Sequence, residues 1–241
     1  MNTINYKTLD YEYKIFGFKV ASILSNKWFF NNIKRNIKEL QNNDIVLVYI
    51  FVNPSVGNFN RIAKGNKAHL VDEKITFSKK ISKSDLVDKC DEIFSYIKKP
   101  LSKNLEELAH EAGKYSRFKI DTRFKNNEFK LLYTDWITKS LSGEITKDLL
   151  VYKKSGREAG FVTLGEKDGN ANIGLIAVNK LYQRQNIGNK LMKEAINKAI
   201  ELGFREVNVV TQKSNEAACN FYQKLGFREK SLVNVYHLWL K

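Results

Sequence analysis

Residues 174–188 carry the arrangement richest in chemical possibility. Gly174-Leu175-Ile176-Ala177-Val178 reads as a strand, Asn179 to Gln183 as a short connection, and Arg184-Gln185-Asn186-Ile187-Gly188 leads into a helical pattern. A strand that feeds a helix N-terminus presents backbone N–H groups with no intrahelical acceptor. Together with the helix dipole these groups make an anion site suited to a pyrophosphate. Gly188 allows a ligand close to the backbone, and Arg184 and Lys190 can add charge. The same residues also read as an ordinary strand–loop–helix connection. A second block runs from Ser214-Asn215-Glu216 through Tyr222 to Gly226-Phe227. Asn215 suits a helix N-cap, and Tyr222 taken alone is best read as a packed aromatic on that helix.

The first block resembles the pyrophosphate loop of the GNAT superfamily of N-acetyltransferases, whose pattern is Q/R-x-x-G-x-G/A. Gln183 and Gly188 match. Asn186 stands where the first glycine belongs, and asparagine tolerates left-handed backbone better than most residues. The second block is similar to the superfamily segment N-x-x-A-x-x-F-Y-x-x-x-G-F, carried here by Asn215, Ala218, Phe221, Tyr222, Gly226 and Phe227. The resemblance implies acetyl-CoA as cosubstrate, with no metal. It places the cofactor on Ile176, Ala177, Val178, Gln183, Arg184, Gln185, Asn186, Ile187, Gly188, Asn189, Lys190 and Asn215. It implies direct attack by an amine, with an N–H near Ala177 or Val178 polarising the thioester carbonyl. Tyr222 then protonates the departing thiolate as a general acid. Phe221 departs from the family, which often has a basic residue there in contact with a phosphate. No general base is legible. Ala171–Val178 carries no carboxylate, and Glu158, Glu166 and Asp168 read as hairpin-surface charges.

Over nearly its full length the chain also resembles the dTDP-4-amino-4,6-dideoxygalactose (dTDP-fucosamine) N-acetyltransferases of bacterial surface-polysaccharide synthesis. Leu9-Asp10-Tyr11-Glu12 with Phe16-Gly17, and Tyr115-Ser116-Arg117-Phe118 before Tyr133-x-x-Trp136-Ile137, carry that likeness beside the two blocks above. It implies an acceptor that is the 4-amino group of a nucleotide-linked (dTDP- or UDP-) amino-dideoxy sugar. Arg117 and Phe118 are the acceptor-side candidates, since Arg pairs with phosphate in fork geometry and Phe can stack on a ring. Both also fit scaffold packing and a surface ion pair. Other acceptors stay open: a peptide, a polyamine or an antibiotic amine. So does a non-catalytic acyl-CoA- or nucleic-acid-binding module, and so does a homodimer.

The elements that must position these residues follow from periodicity. Trp28 to Gln41 has a helical stripe at Phe29, Ile33, Ile37 and Leu40, and Ile45–Val52 is a β-branched-rich run that reads as a buried strand. A short helix over Phe59–Lys64 and a strand over His69–Lys79 follow. Residues 81–99 read as the connection between two halves, with a helical stripe at Leu86, Ile93 and Ile97. Asn104 and Glu107 have capping-box spacing for a helix that Gly113 can end. Another helix spans Phe129 to Leu141. Strands over Leu149–Lys153, Ala159–Gly165 and Ala171–Val178 are joined at Ser155-Gly156 and by a hairpin at Asp168-Gly169. Gly188 to Leu202 is a helix, Val207–Thr211 a strand, Glu216 to Leu225 a helix, and Phe227 to Lys241 a strand broken near Lys230. The order predicts an α/β protein with a mixed, α+β-type sheet and helices on both faces. Residues 100–241 are expected to form a GNAT acetyltransferase domain. Residues 1–99 are expected to form a partial, degenerate half-GNAT α/β lobe, because Asn53 to Phe77 faintly repeats the plan of Asn215 to Leu238, with Asn58-Phe59 where Asn220-Phe221 sits.

Composition fits that class. The chain has 241 residues, 43% of them hydrophobic and 12% aromatic, enough for a real core. With 41 basic and 26 acidic residues its net charge is +15, which favours anionic partners such as phosphorylated small molecules. No basic, aromatic-interleaved stripe marks nucleic-acid recognition. The longest apolar run, Ile45 to Val52, is too short to span a bilayer, and Met1 to Leu24 has no continuous apolar stretch, so the expectation is cytoplasmic with no membrane insertion. Cys90 and Cys219, with His69, His110 and His237, show no metal-ligand spacing.

Overall fold

The computed structural model describes residues 5–24, 32–55 and 59–241. In the first half, β1 (Lys7–Thr8), α1 (Asp10–Phe16), β2 (Lys19–Leu24), α2 (Ile33–Asn42), β3 (Ile45–Val52), α3 (Phe59–Gly65) and β4 (His69–Lys80) follow in order. A 3-10 turn over Lys83–Asp85 and β5 (Ile93–Ser95) lead to α4 (Lys103–Ala112), α5 (Arg117–Ile120) and α6 (Glu128–Ser142). Next come β6 (Asp148–Lys154), β7 (Arg157–Lys167), β8 (Asn170–Val178) and a 3-10 turn over Lys180–Tyr182. Then α7 (Ile187–Glu201), β9 (Glu206–Gln212), α8 (Glu216–Lys224) and β10 (Arg228–Trp239) complete the described chain.

All these strands join one mixed sheet in the order β1-β2-β3-β10-β4-β9-β8-β7-β6-β5. The stretch β2-β3-β10-β4-β9-β8 keeps its order when β2 is exchanged with β8, β3 with β9 and β4 with β10. β2 and β3 pair in parallel, as do β8 and β9. Each half therefore repeats strand–helix–strand–helix–strand. The last strand of each crosses over: β4 pairs with β9, and β10 pairs with β3. The cores follow the crossing. Ile75 and Phe77 of β4 pack with Leu191 and Met192 of α7 and Tyr222 of α8. Tyr236 and Leu238 of β10 pack with Ile33 and Leu40 of α2 and with Phe59 and Ala63 of α3. Those four helices cover one face of the sheet. On the other face α4 and α6 pack on Leu149, Val151 and Phe161. There also α1, α5 and α6 enclose Leu47 and Tyr49 in an aromatic-rich cluster.

Most expected elements are present. Asp168 and Gly169 both have positive φ (52° and 74°), as a two-residue type I′ hairpin requires. The break expected near Lys230 is a bulge between Glu229 and Ser231. Two expectations need correction. Residues 81–99 form no helix: Ile93 packs with the α7 cluster and Ile97 with the α4–α6 cluster on the opposite face, which one helical stripe cannot do. The cap of α4 is Ser102, whose Oγ accepts from Leu105 N–H at 3.0 Å, whereas Asn104 donates to Glu158 O at 2.6 Å. Gly113 ends α4 with φ −90°, so it is needed for space and not for left-handed backbone. A Cβ there would lie 2.3 Å from the Tyr133 ring. The helix expected from Trp28 is seen from Ile33, and Trp28, Phe29 and Asn58 lie outside the described residues. The α1 helix and its flanking strands had no periodic signal.

Candidate active site

The site begins where two parallel strands separate. β8 pairs with β9 only at Ala171, Ile173 and the residue between them. On its other edge β8 pairs with β7, and the register shifts between Val162 and Leu164, so Gly174 and Leu175 form a bulge that bends β8 away from β9. Thr163 Oγ1 accepts the Leu175 N–H at 2.8 Å, which satisfies the bulged amide. A Cβ on residue 174 would come 2.8 Å from that same hydroxyl, so glycine is required there. Asn179 N–H donates to Ala159 O of β7. Strand alternation then turns the Ile176 and Val178 amides away from β7, into the gap. Of the two amides expected to face a carbonyl, Val178 is the one so directed, and Ala177 is paired across to Phe161.

Beyond β8 the chain reverses into α7. Arg184 and Asn186 both adopt left-handed backbone, at φ 62° and 63°. Asn186 thus does what the glycine of the resembled pattern would do. It is the N-cap of α7, and the first intrahelical bond is Lys190 N–H to Asn186 O at 3.1 Å. The amides of Ile187, Gly188 and Asn189 have no intrahelical acceptor. Gln183 Nε2 donates to Val178 O at 3.1 Å and ties the loop to the strand. At Gly188 a Cβ would sit 3.4 Å from the Phe221 ring, so that position has room for a methyl group and little more. Asn215 caps α8, its side chain accepting from Ala218 N–H at 3.3 Å.

These residues share one cavity of about 1170 Å³, which passes through the gap from the α7–α8 face to the α5–α6 face. Ile176, Ala177, Val178, Gln183, Arg184, Asn186, Ile187, Gly188, Asn189, Asn215 and Tyr222 all line it. The side chains of Gln185 and Lys190 turn away from it. Gln185 accepts from Lys154 of β6, and Lys190 pairs with Glu92 at 3.5 Å and lies over the Tyr152 ring. The charge expected from Lys190 is supplied instead by Lys193, one helical turn further on the cavity face.

Tyr222 is 3% exposed and packs against Phe77, Phe221 and Phe227. Burial pushes its phenol well above the usual tyrosine range, so it stays protonated and fit to give a proton. On the far face, α5 presents Arg117 to the cavity, its guanidinium 4.8 Å from the Tyr49 ring and 4.3 Å from that of Phe118. Phe118 is buried among Phe16, Phe124, Tyr49 and Trp136, so it supports the wall and has no free face for stacking on a ligand. Asp121, just after α5, anchors that wall to β10: it holds His237 Nδ1 at 2.7 Å, Trp239 Nε1 at 2.9 Å and Arg123 Nε at 3.0 Å. Burial alone would raise the Asp121 carboxyl, but these hydrogen bonds hold it well below the usual range. Burial pushes His237 down to about 4, against the pull of Asp121, so the ring is neutral.

Asp72 and Lys74, which no local motif marks, are carried into the cavity by β4 from the first half of the chain. Burial raises the Asp72 carboxyl to about 6 and lowers Lys74. Lys74 lies opposite Gln212 of β9, so only the pairing of strands far apart in sequence reveals that these two groups face the site.

The family model described as the acetyltransferase (GNAT) family matches residues 103–227. Spore coat polysaccharide biosynthesis protein SpsD of Bacillus subtilis (strain 168) is 24% identical over 133 residues, covering 55% of this chain and 46% of that protein. N-alpha-acetyltransferase 30 of Dictyostelium discoideum is 43% identical over 65 residues, covering 27% of this chain and 35% of that one. The chain spans less than half the length of these two curated relatives. A crystal structure of a GCN5-related N-acetyltransferase from Sphaerobacter thermophilus matches with a TM-score of 0.63 at 15% identity, over 98% of this chain and 76% of that one, a likeness of fold. Among the described residues no helix is long and apolar enough to cross a membrane.

Proposed function

The chain belongs to the acetyltransferase (GNAT) family, and from that premise we propose that it transfers an acetyl group from acetyl-CoA to the 4-amino group of a nucleotide-linked amino-dideoxy sugar used in surface-glycan synthesis. The observation that carries this reading is the single cavity and its lining. At one end are the free amides of Ile187, Gly188 and Asn189, flanked by Arg184 and Lys193. At the other are Arg117, Lys74 and the rings of Tyr115, Tyr133 and Trp136. Six basic side chains (Lys74, Lys114, Arg117, Arg184, Lys193, Lys224) face it against two acidic ones, Asp72 and Glu111. That balance suits two diphosphate-bearing substrates and disfavours a polyamine. The name of the spore coat relative adds support for a polysaccharide role.

In this reading the α7 amides hold the diphosphate of coenzyme A. The Ile176 and Val178 edge and Asn215 hold its pantetheine arm. The bound thioester supplies an activated acetyl carbon. The Val178 amide polarises the carbonyl, and Tyr222 delivers a proton to the departing sulfur. A second reading, a peptide N-terminus as acceptor, draws on the 65 residues shared with N-alpha-acetyltransferase 30. The test is a release assay for free coenzyme A against dTDP- and UDP-linked 4-amino sugars, with N-terminal peptides in the same panel. Turnover on the sugars and not the peptides is expected. Turnover confined to peptides would overturn the sugar reading.

A further inference from the structure

We propose that Asp72, on the strand crossing over from the N-terminal half, takes the proton from the incoming ammonium group and so serves as the general base. This rests on the acetyl-transfer reading above and names the group that reading left without a residue.

The placement is specific. The β4–β9 pairing begins at Lys74 opposite Gln212, the last residue of β9, so Asp72 lies just past the end of that ladder. There the chain leaves β9 for α8, and Lys213 N–H donates to Glu73 O at 2.8 Å. Asp72 is therefore beside the turn that leads to Asn215, and it lines the same cavity as Tyr222. It is 6% exposed, yet its Oδ1 has no hydrogen-bond partner in the protein. A buried carboxylate oxygen without a donor is costly unless a ligand supplies one. The cavity's other carboxylate, Glu111, is already paired with Lys114 at 2.6 Å. The charged and polar groups facing Asp72 are Arg117 from α5, Lys74 and Glu73 from β4, Gln212 from β9 and Tyr133 from α6. β10 sets the apolar Val235 opposite it, with neutral His237 two residues on. Burial outweighs the pull of Arg117, Lys74 and Gln212 and brings the carboxyl to about 6, a useful value for a base near neutral pH.

The proton balance closes. Asp72 removes one proton from R–NH3+ and later releases it to solvent. The freed lone pair forms the C–N bond, the C–S bond breaks, and the thiolate takes the Tyr222 proton. The phenolate then recovers a proton from the nitrogen, and the products are the amide and the free thiol.

The test compares Asp72→Asn with the native chain on two classes of acceptor at pH 7.5: hydroxylamine, unprotonated at that pH, and two alkylammonium acceptors, ethanolamine and a dTDP-linked 4-amino sugar. We expect the alkylammonium rate to fall about 100-fold, with a much smaller loss on hydroxylamine. Equal losses on both, or none on either, would overturn the base. Partial recovery by Asp72→Glu is expected for a base and not for a packing role. If the native chain acetylates ethanolamine but no nucleotide sugar, the acceptor reading fails while the base is still tested. A native chain that acetylates neither class overturns both. Thermal melts give a second readout. The folded carboxyl titrates above its unfolded value, so its stabilising contribution is complete below pH 4 and lost as pH rises through 6. Asp72→Asn should therefore melt no lower than the native chain at pH 7.5, its relative gain shrinking by pH 4. A gain that does not shrink would place Asp72 outside the buried cavity wall.

Discussion

Two parallel strand pairs occupy matching places in the two halves, and they behave differently. β2 and β3 stay paired from Lys19 to Leu24, through six residues of β2. β8 and β9 part after Ile173. The difference has a local cause in the Gly174-Leu175 bulge, held by Thr163 Oγ1, which bends β8 out of the ladder. The closed pair leaves its backbone groups bonded to each other. The open pair exposes amides to a cavity. One plan thus yields a closed half and an open half, and the closed half still reaches the cavity through β4.

The strongest way to break this comparison is through the crossed strands. Phe77→Ala removes a fully buried ring that the first half lends to the second, and should cost about 3–5 kcal/mol in chemical denaturation. A cost below about 1 kcal/mol would mean that β4 does not complete that core. Next comes Tyr222→Phe, expected to slow turnover about 100-fold while acetyl-CoA affinity changes by no more than about 3-fold. Equal turnover would remove the proton-donor role and leave Tyr222 a packed ring. Gly188→Val should weaken acetyl-CoA binding by roughly 10-fold in calorimetry, by pushing on Phe221 and filling the approach to the α7 amides, with Gly188→Ala much milder. Native affinity in Gly188→Val would detach the diphosphate from this helix. The mildest change, Thr163→Val, leaves the Leu175 amide without its acceptor and should cost about 1–2 kcal/mol. It sharpens the comparison if acetyl-CoA binding weakens with it, because the bulge then holds the gap open.

What was legible in the sequence divides along the same line. The second half is legible because its signals are local: apolar periodicity, the Asp168-Gly169 hairpin, the Asn215 cap and a motif spacing that the family match covers. Asn186 could be read as a glycine substitute because left-handed tolerance is a property of the residue itself. The crossing of β4 and β10 was not legible, since pairing Lys74 with Gln212 joins residues far apart in the chain and leaves no periodic trace. Asp72 is hidden for the same reason, and helix phase, not loop proximity, puts Lys193 on the cavity side and turns Lys190 toward Glu92. Gly113 ends α4 as its position suggests, but what demands glycine there is room for the Tyr133 ring, a contact made across two helices.

The separation of β8 from β9 as the seat of the acyl donor is tested most directly by a crystal structure of the chain with acetyl-CoA. The diphosphate is expected within hydrogen-bond distance of the Ile187, Gly188 and Asn189 amides, with the pantetheine arm between the two strands and the sulfur beside the Tyr222 hydroxyl. A diphosphate bound away from α7, or a sulfur out of reach of that hydroxyl, would contradict the account.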